Sequence, residues 1–222
     1  MNFGRNIKNN IKPLQSEGEN LMSKKNKREH EKIITTKMIE ILEGGWETHH
    51  DKNDVGGVTR AGIASRYYPE LDLDNMSKED IINFYLDEWY SKVENISFQG
   101  LRDYIFMTGL NTGLRPMVRL LQATLNQLDV NVERISEDGI YGPATDRKLK
   151  NTCLSLRASN PTLWNTILFD RLNHNVYSYY SQRGTARHHF LGWFNRIQRT
   201  MTILFAHSNM SDDFLVERGM KK

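Results

Sequence analysis

The sequence has almost no cysteine and no long hydrophobic run. Cys153 is the single cysteine among 222 residues, which excludes an intramolecular disulfide and a zinc site built from several thiolates. No apolar run approaches about 18 residues, so we expect no membrane-spanning segment. The first residues also lack the apolar stretch of about 7–15 residues that defines a secretory signal. We therefore expect a fold held together by core packing and synthesised without a secretion signal.

A strong charge of one sign is also missing. The formal net charge is +3, from 30 Lys and Arg against 27 Asp and Glu. Residues 1–32 hold 8 basic and 4 acidic side chains, whereas residues 33–182 hold 15 basic and 20 acidic ones. The body of the chain is therefore slightly acidic, which does not favour a nucleic-acid partner. Residues 183–199 are basic and aromatic, but their aromatic side chains have the helical spacing of a core stripe.

The hydrophobic pattern is mainly that of helices. Ile34, Met38 and Ile41 share one helix face, and the glycines at 44–45 supply a stop signal. Residues 46–65 lose this period and combine glycines with β-branched residues, which predicts a short irregular hairpin. Further helices are predicted after Ser77, near 101–111, after Pro116, after Pro143, after Asn160-Pro161 and near 190–204. The sequence therefore predicts a mainly α fold with one small β-hairpin.

Glu43 is the first candidate for chemistry. It lies at the predicted C-terminus of a helix, directly before two glycines and close to Trp46. The negative end of the helix dipole and burial beside an indole would both favour a protonated carboxyl. A carboxylic acid that stays protonated near neutral pH is what acid-catalysed glycosidic cleavage requires. Glu43 is therefore our candidate general acid.

A second carboxylate is needed for this chemistry, and the predicted hairpin offers two. An anion supports the oxocarbenium-like centre or activates water on the face opposite the acid. Asp51 and Asp54 both lie in the hairpin, which we expect to fold across the end of the first helix. The hydroxyl of Thr59 is placed to hold the attacking water.

The same residues form a recognisable pattern. Residues 43–46 read E-G-G-W, and residues 51–63 read D-K-N-D-V-G-G-V-T-R-A-G-I. This pattern resembles the signature of glycoside hydrolase family 108, the N-acetylmuramidases found in phage endolysins and bacterial lysis proteins. Lys52 and Val55 stand where the family usually has proline, and two extra residues precede Asp51. The glutamate, the Gly-Gly pair, the threonine and the Gly-Ile step are retained.

The resemblance continues further along the chain. Tyr85 and Trp89 are similar to the aromatic residues of a family helix, and Asn111 begins an N-T-G step. Three later stretches resemble the predicted peptidoglycan-binding domain that accompanies the family: residues 121–125 (L-Q-A-T-L), 138–145 (D-G-I-Y-G-P-A-T) and 192–196 (G-W-F-N-R). This half either binds glycan independently or only completes the substrate groove.

The resemblance implies a lysozyme-like fold that hydrolyses the β-1,4 bond between N-acetylmuramic acid and N-acetylglucosamine. Glu43 is then the acid and Asp54 the preferred second carboxylate, with Asp51 as the alternative. We expect inversion, with the two carboxyl groups about 6.5–9.5 Å apart. The expected substrate contacts are Trp46, Tyr85, Trp89 and Asn111. No cofactor or metal is required.

On this basis the chain divides into four regions. Residues 1–28 form a flexible basic tail, 29–108 a muramidase catalytic region, 109–206 a helical peptidoglycan-binding region, and 207–222 a polar C-terminal tail. We expect a monomer whose partner is the peptidoglycan glycan strand. We also expect it to stay in the host bacterial cytoplasm until release to the periplasm and cell wall.

Two alternatives remain open at the level of sequence, and a third is disfavoured. A lytic transglycosylase would cut the same bond without water, and would need neither Thr59 nor a second carboxylate. A non-catalytic wall-binding or virion structural protein would tolerate loss of Glu43. A zinc amidase could use His49 and His50, but adjacent histidines point apart and no H-E-x-x-H motif is present.

Overall fold

The protein is built mainly from α-helices. The computed structural model describes the backbone of residues 17–50, 57–129, 133–183 and 186–208, with the side chains of 17–24 and 186–188 left aside. The helices in these ranges are α1 (Glu17–Leu42), α2 (Lys78–Glu88), α3 (Gln99–Thr112), α4 (Leu114–Leu128), α5 (Pro143–Ser159), α6 (Trp164–Ser181) and α7 (Ala186–His207). A 3₁₀ turn, Tyr90–Lys92, follows α2.

Helix α1 ends where the sequence predicted and begins earlier than predicted. It stops at Leu42, and Gly44 and Gly45 follow with φ angles of 83° and 95°. Such angles are accessible to glycine at little cost, and they turn the chain out of the helix. The first turn of α1 lies at Glu17, so helix extends into the segment 1–28 that was expected to be a flexible tail.

The predicted hairpin is a three-stranded antiparallel sheet. Its strands β1 (Thr48–His50), β2 (Val58–Arg60) and β3 (Ile63–Ala64) follow the order β1-β2-β3. Ala61 and Gly62 alone connect β2 to β3, with φ angles of 50° and 82°. Two consecutive positive φ angles are typical of the type I′ turn, whose twist matches that of the flanking strands.

Several helix starts follow from local sequence. Ser77 caps α2 in a reciprocal capping box with Asp80, as its spacing predicted. Pro143 is the first residue of α5. The prediction that Asn160 caps the next helix was wrong, because Asn160 closes α5 and α6 begins only at Trp164.

Helix α3 is the centre of the hydrophobic core. Tyr104, Ile105 and Phe106 are fully buried in it, and α3 packs against both α4 and α7. Helix α7 also packs against α1, so the last helix contacts the first. The boundary predicted between residues 108 and 109 falls within α3.

The predicted fold class is confirmed. A mainly helical body with a small antiparallel sheet is consistent with a lysozyme-like fold. Within the described ranges, no helix combines the length and apolar character needed to cross a membrane.

Candidate active site

An open cavity of about 440 Å³ lies between the sheet, α2 and the ends of α1 and α3. Its described lining contains one carboxylate, Glu43, and one guanidinium, Arg196. Aromatic side chains form much of the remaining wall: Tyr67, Tyr68, Phe84, Tyr85 and Trp89. A concave site with a few polar groups among aromatic rings is the usual form of a ligand site.

Glu43 lies at the base of this cavity and is paired with Arg196. The Glu43 side chain is 17% exposed, and Arg196 Nη2 donates to its Oε1 at 2.5 Å. Trp46 was expected to lie beside Glu43, and it is not among the described lining residues of this cavity. The two glycines between them adopt positive φ, so the chain turns directly after Glu43.

Arg196 also ties together the elements that surround Glu43. Its Nη1 donates to the carbonyl of Leu42 in the last turn of α1 at 3.3 Å, and its Nη2 approaches the carbonyl of Met107 in α3 at 3.4 Å. A planar guanidinium can bind several acceptors at fixed angles, which makes it well suited to hold a carboxylate in one orientation. Sequence analysis identified Arg196 only as part of the G-W-F-N-R stretch of residues 192–196, with no link to Glu43.

The turn between β2 and β3 lies close to Oε2, the second carboxyl oxygen of Glu43. A Cβ added at Gly62 would lie 2.5 Å from Glu43 Oε2 and 2.8 Å from the hydroxyl oxygen of Tyr85. The Tyr85 hydroxyl donates to the carbonyl of Ala61 at 2.6 Å and so anchors the turn. Burial, with a smaller contribution from the nearby Glu43 charge, raises the pKa of Tyr85 well above its usual range.

The structure brings together four of the predicted site residues. Glu43, Tyr85, Trp89 and Asn111 all line the cavity. The Tyr85 ring is buried and its hydroxyl is occupied by the turn, so its observed contact is with the protein. Asn111 is exposed, and its Oδ1 accepts a hydrogen bond from Tyr180 at 2.9 Å.

Trp46 and Thr59 lie away from the described lining of the cavity. Trp46 packs on the core, with Lys78 Nζ 5.0 Å from its ring centroid. Thr59 is the middle residue of β2 and pairs with His49 and Ala64 on the neighbouring strands.

The two candidates for the second carboxylate, Asp51 and Asp54, lie outside the described residues. The strands on either side are described, with β1 ending at His50 and β2 beginning at Val58. The connection that carries both aspartates therefore joins two neighbouring strands of the sheet beside the cavity.

Sequence reasoning missed much of the aromatic wall. Tyr67 is 73% exposed at the cavity, and the rings of Tyr68 and Phe84 meet edge to face with centroids 4.8 Å apart. Tyr67 and Tyr68 follow the sheet after two residues, and Phe84 precedes Tyr85 on α2. The adjacent tyrosines were the available signal, since clustered aromatic surface often marks a ligand site.

Two of the stretches that resemble a peptidoglycan-binding domain, residues 121–125 and 138–145, bind each other through hydrogen bonds. Gln122 is buried, and its Nε2 donates to Asp138 Oδ1, to the Ile140 carbonyl and to Thr145 Oγ1 at 2.9–3.1 Å. Its Oε1 accepts from the Gly139 amide at 2.8 Å. These polar groups fix the segment before α5 to α4, which is a structural role.

The histidine pair does not form a metal site with described residues. His50 Nε2 lies 3.1 Å from Asp74 Oδ1 on the surface, and the described part of the chain contains no group of three or more His, Cys, Asp or Glu side chains arranged for a metal.

Two comparisons with known proteins found a similar family and a similar fold. A family model described as Glycosyl hydrolase 108 matches residues 36–113. The solved structure of SagA from Brucella abortus has a TM-score of 0.58 and 16% sequence identity, over 81% of this chain and 97% of SagA. At this identity the likeness shows a shared fold alone. No curated protein matches the sequence significantly. The matched segment contains Glu43 and most of the cavity wall, so the similarity to glycoside hydrolases of family 108 covers the candidate site.

Proposed function

We propose that this protein is an N-acetylmuramidase that hydrolyses the β-1,4 bond between N-acetylmuramic acid and N-acetylglucosamine in peptidoglycan. The observation that carries the proposal is the position of Glu43. Its carboxyl group lies at the base of an aromatic cavity, inside the segment that matches a glycoside hydrolase family.

The two oxygens of Glu43 have different surroundings, which suits a general acid. Oε1 accepts from Arg196, whereas Oε2 lies against Gly62. A proton carried on Oε2 can be passed to the leaving glycosidic oxygen, while Oε1 keeps its contact with the guanidinium. After transfer Glu43 is an anion, and the adjacent positive charge stabilises it.

The second carboxylate is proposed to come from the connection between β1 and β2. Asp54 is preferred and Asp51 is the alternative, each acting on a water on the face of the sugar opposite Glu43. Thr59, in β2, is proposed to help to hold that water.

The aromatic wall suits a sugar chain. Pyranose rings have apolar C–H faces that pack on aromatic rings, and the exposed Tyr67 and the half-buried Trp89 present such rings in the cavity. Asn111 places an amide beside them, which can bind hydroxyl or acetamido groups.

The test of the acid is Glu43→Gln, which keeps the size of the side chain and removes the transferable proton. We expect wall-clearing activity to fall by at least about 100-fold, since general acid catalysis contributes about 10²–10⁴-fold. The matched control is Glu47→Gln, an exposed glutamate four residues later, which should keep full activity. Thermal unfolding of both variants separates loss of chemistry from loss of fold.

The products identify the reaction. Mass analysis of the soluble fragments should show reducing ends, which are the result of hydrolysis. Fragments with 1,6-anhydro ends would instead identify a lytic transglycosylase. Full lysis by the Glu43→Gln variant would contradict the acid assignment, and no fragment release by the wild-type protein would identify a non-catalytic wall-binding protein.

The second carboxylate is tested in the same assay. Asp54→Asn is expected to reduce turnover by at least about 100-fold and Asp51→Asn by less than about 10-fold. The reverse order would assign the role to Asp51. Retention of full activity by both single variants and by the double variant would exclude a second carboxylate from this connection.

We further propose that the enzyme is of the phage endolysin type, held in the bacterial cytoplasm until it is released to the wall. Expression in bacteria should then leave growth unaffected until the inner membrane is permeabilised. Prompt lysis should follow in cells with the wild-type protein and not in cells with Glu43→Gln. Lysis without permeabilisation would contradict this location.

A further inference from the structure

A second cavity, of about 320 Å³, adjoins the first. The two cavities share Asn111 and Arg196 in their linings, so they are neighbours along one surface. The second is completed mainly by one face of α7, through Gly192, Trp193 and Arg199. The Glu43 site and this part of α7 therefore form one longer groove.

Two of the groove's side chains are held in place by the same buried tyrosine. The Tyr180 ring stacks on Trp193 with centroids 4.7 Å apart and an interplanar angle of 18°. The Tyr180 hydroxyl donates to Asn111 Oδ1 at 2.9 Å. This hydrogen bond fixes the orientation of the Asn111 amide, whose N–H groups can then donate to a ligand. An indole and an amide fixed in this way are pre-organised for a ligand, because little side-chain entropy is lost on binding.

The charge of this cavity is positive. Among its described lining residues none is acidic, whereas two are arginines. Arg196 Nη2 is occupied by Glu43, and its buried Nε–H has no acceptor within the described part of the chain. The exposed Arg199 has no hydrogen-bond or ion-pair partner there either. Arg199 is therefore the guanidinium that this cavity offers to a ligand.

Gly192 contributes open space to the groove, because it lines the second cavity without a side chain. It lies in the interior of α7, where glycine destabilises a helix relative to alanine. A Cβ at this position would meet no atom within 4 Å, so neither packing nor backbone conformation requires glycine. The absent side chain leaves space in the cavity that Gly192 lines.

We propose that this second cavity is a subsite for the acidic sugar of the glycan chain, and that Arg199 binds the carboxylate on the substituent at O-3 of that sugar. The inference rests on the proposed function, and deepens it by assigning a charged recognition element beside the Glu43 cavity. Trp193 packs against the sugar ring, and Asn111 binds polar groups at the junction of the two cavities. The carboxylate belongs either to the lactyl group or to the attached peptide.

The test compares the wild-type protein with Arg199→Gln on three soluble glycan strands. One carries stem peptides, one has been stripped by an amidase so that the lactyl carboxylate is free, and one is peptide-bearing with its carboxylates chemically amidated. On the strand with the recognised carboxylate, we expect Arg199→Gln to raise KM by about 3- to 10-fold, the range of a solvent-accessible ion pair. The effect should be larger in KM than in kcat.

The three strands also identify the source of the carboxylate. An effect on stripped strands assigns the lactyl group, and an effect confined to peptide-bearing strands assigns the peptide. On amidated strands the two proteins should have equal KM values. Equal KM on all three strands, or an equal rise on all three, would overturn the proposal. Arg171→Gln, an exposed arginine on α6, is the matched control and should behave as wild type.

Occupation of the cavity is tested through Gly192. Gly192→Leu should fill the space and raise KM at least as much as Arg199→Gln, whereas Gly192→Ala should leave KM within about 2-fold. Because a Cβ has open space here and alanine and leucine favour helices, both variants should unfold at or above the wild-type temperature. Unchanged KM in a folded Gly192→Leu variant would overturn the proposal.

A binding measurement separates this inference from the proposed reaction. N-acetylmuramic acid should shift the indole N–H signal of Trp193 in an NMR spectrum, and Arg199→Gln should weaken the shift at equal ligand concentration. If the wild-type protein releases no fragments but shows this shift, the proposed hydrolysis fails and the subsite stands. If fragments are released and the Trp193 signal does not move, the subsite fails and the hydrolysis stands.

Discussion

Arg196 on the last helix donates to Glu43 at the end of the first helix, over 2.5 Å and across 153 positions of sequence. The same guanidinium holds carbonyl groups of α1 and α3. The candidate acid is therefore fixed by the C-terminal half of the chain. A protein that ended after the matched segment 36–113 would lack this contact.

Replacing Arg196 should impair both stability and activity. Arg196→Gln leaves the Glu43 carboxylate without its ionic partner in a site that is mostly buried, so we expect a loss of about 2–4 kcal/mol of unfolding free energy. Turnover should fall by more than about 10-fold, since Glu43 is no longer held in one orientation. Urea unfolding and initial rates on purified walls measure the two effects. A turnover equal to wild type in the folded fraction would show that Glu43 needs no such support.

Arg196→Lys tests geometry apart from charge. Lysine keeps the positive charge but lacks the planar fork that reaches Glu43 and two carbonyls together. We expect the unfolding free energy of Arg196→Lys to lie between the values of the wild type and Arg196→Gln. Its turnover should still be reduced by at least about 5-fold. Full recovery by lysine would show that charge alone is required.

Replacing Gly62 should disturb Glu43 directly. In Gly62→Ala the added methyl group would lie 2.5 Å from Glu43 Oε2, and the φ of 82° would be strained in alanine. We expect a loss of about 1–3 kcal/mol of stability and more than about 10-fold of turnover. The matched control is Gly44→Ala, with a φ of 83° and no atom within 4 Å of the added Cβ. It should show the backbone strain with a smaller loss of turnover.

Replacing Gln122 should affect stability far more than catalysis. Gln122→Ala removes a buried amide that makes four hydrogen bonds, three to residues 138–140 and one to Thr145 in the first turn of α5, so we expect a loss of about 2–4 kcal/mol. Rates corrected for the folded fraction should stay within about 2-fold of wild type. Asn151→Ala, an exposed amide on α5, is the control. A selective loss of wall binding by folded Gln122→Ala would instead support a glycan-binding role for this motif.

Stability should fall steeply in alkali because several tyrosines are buried. Burial raises the pKa of Tyr85, Tyr90 and Tyr104 far above the ordinary value of 10.0, and that of Tyr180 to about 12. Below about pH 10 these groups are neutral in both states, so their contribution to stability is complete. Above it the unfolded chain loses protons that the folded protein keeps, so stability decreases as pH rises.

The expected slope is about 1.4 kcal/mol per pH unit for each such tyrosine between its unfolded and folded pKa values. Urea midpoints measured from about pH 9 to 11 give this slope. Tyr85→Phe should be less stable at neutral pH, because the Ala61 carbonyl loses its donor, and should show a shallower alkaline slope. An unchanged slope would show that Tyr85 ionises in the folded protein.

Much of the fold could be predicted because its signals are local. The end of α1 follows from Gly44 and Gly45, and the start of α2 follows from the capping box of Ser77 with Asp80. The predicted helix start at Asn160 was wrong because asparagine followed by proline is equally suited to end a helix. Helix α6 begins instead at Trp164.

The candidate site could be predicted only in part. Glu43 was found in one short pattern, Tyr85 and Trp89 were found in a separate aromatic stretch, and the structure places all three around one cavity. Trp46 is not among the described lining residues, and the chain turns between it and Glu43 at two glycines with positive φ. The role of Arg196 was not predicted, because helical spacing describes a face and does not state which residue of another helix packs against it.

The sequence by itself determined the helical class, the irregular sheet after α1 and the identity of Glu43 as the candidate acid. Each of these depends on neighbouring residues, whose backbone preferences and spacing are readable without a fold. Only the tertiary structure decided that Arg196 is the partner of Glu43, and that Gly62 and Tyr85 fix the space around it. These contacts join residues far apart in the chain. The Arg196 contact exists because α7 packs against α1 and α3, and the Gly62 and Tyr85 contacts exist because the turn after β2 is held between α2 and the end of α1.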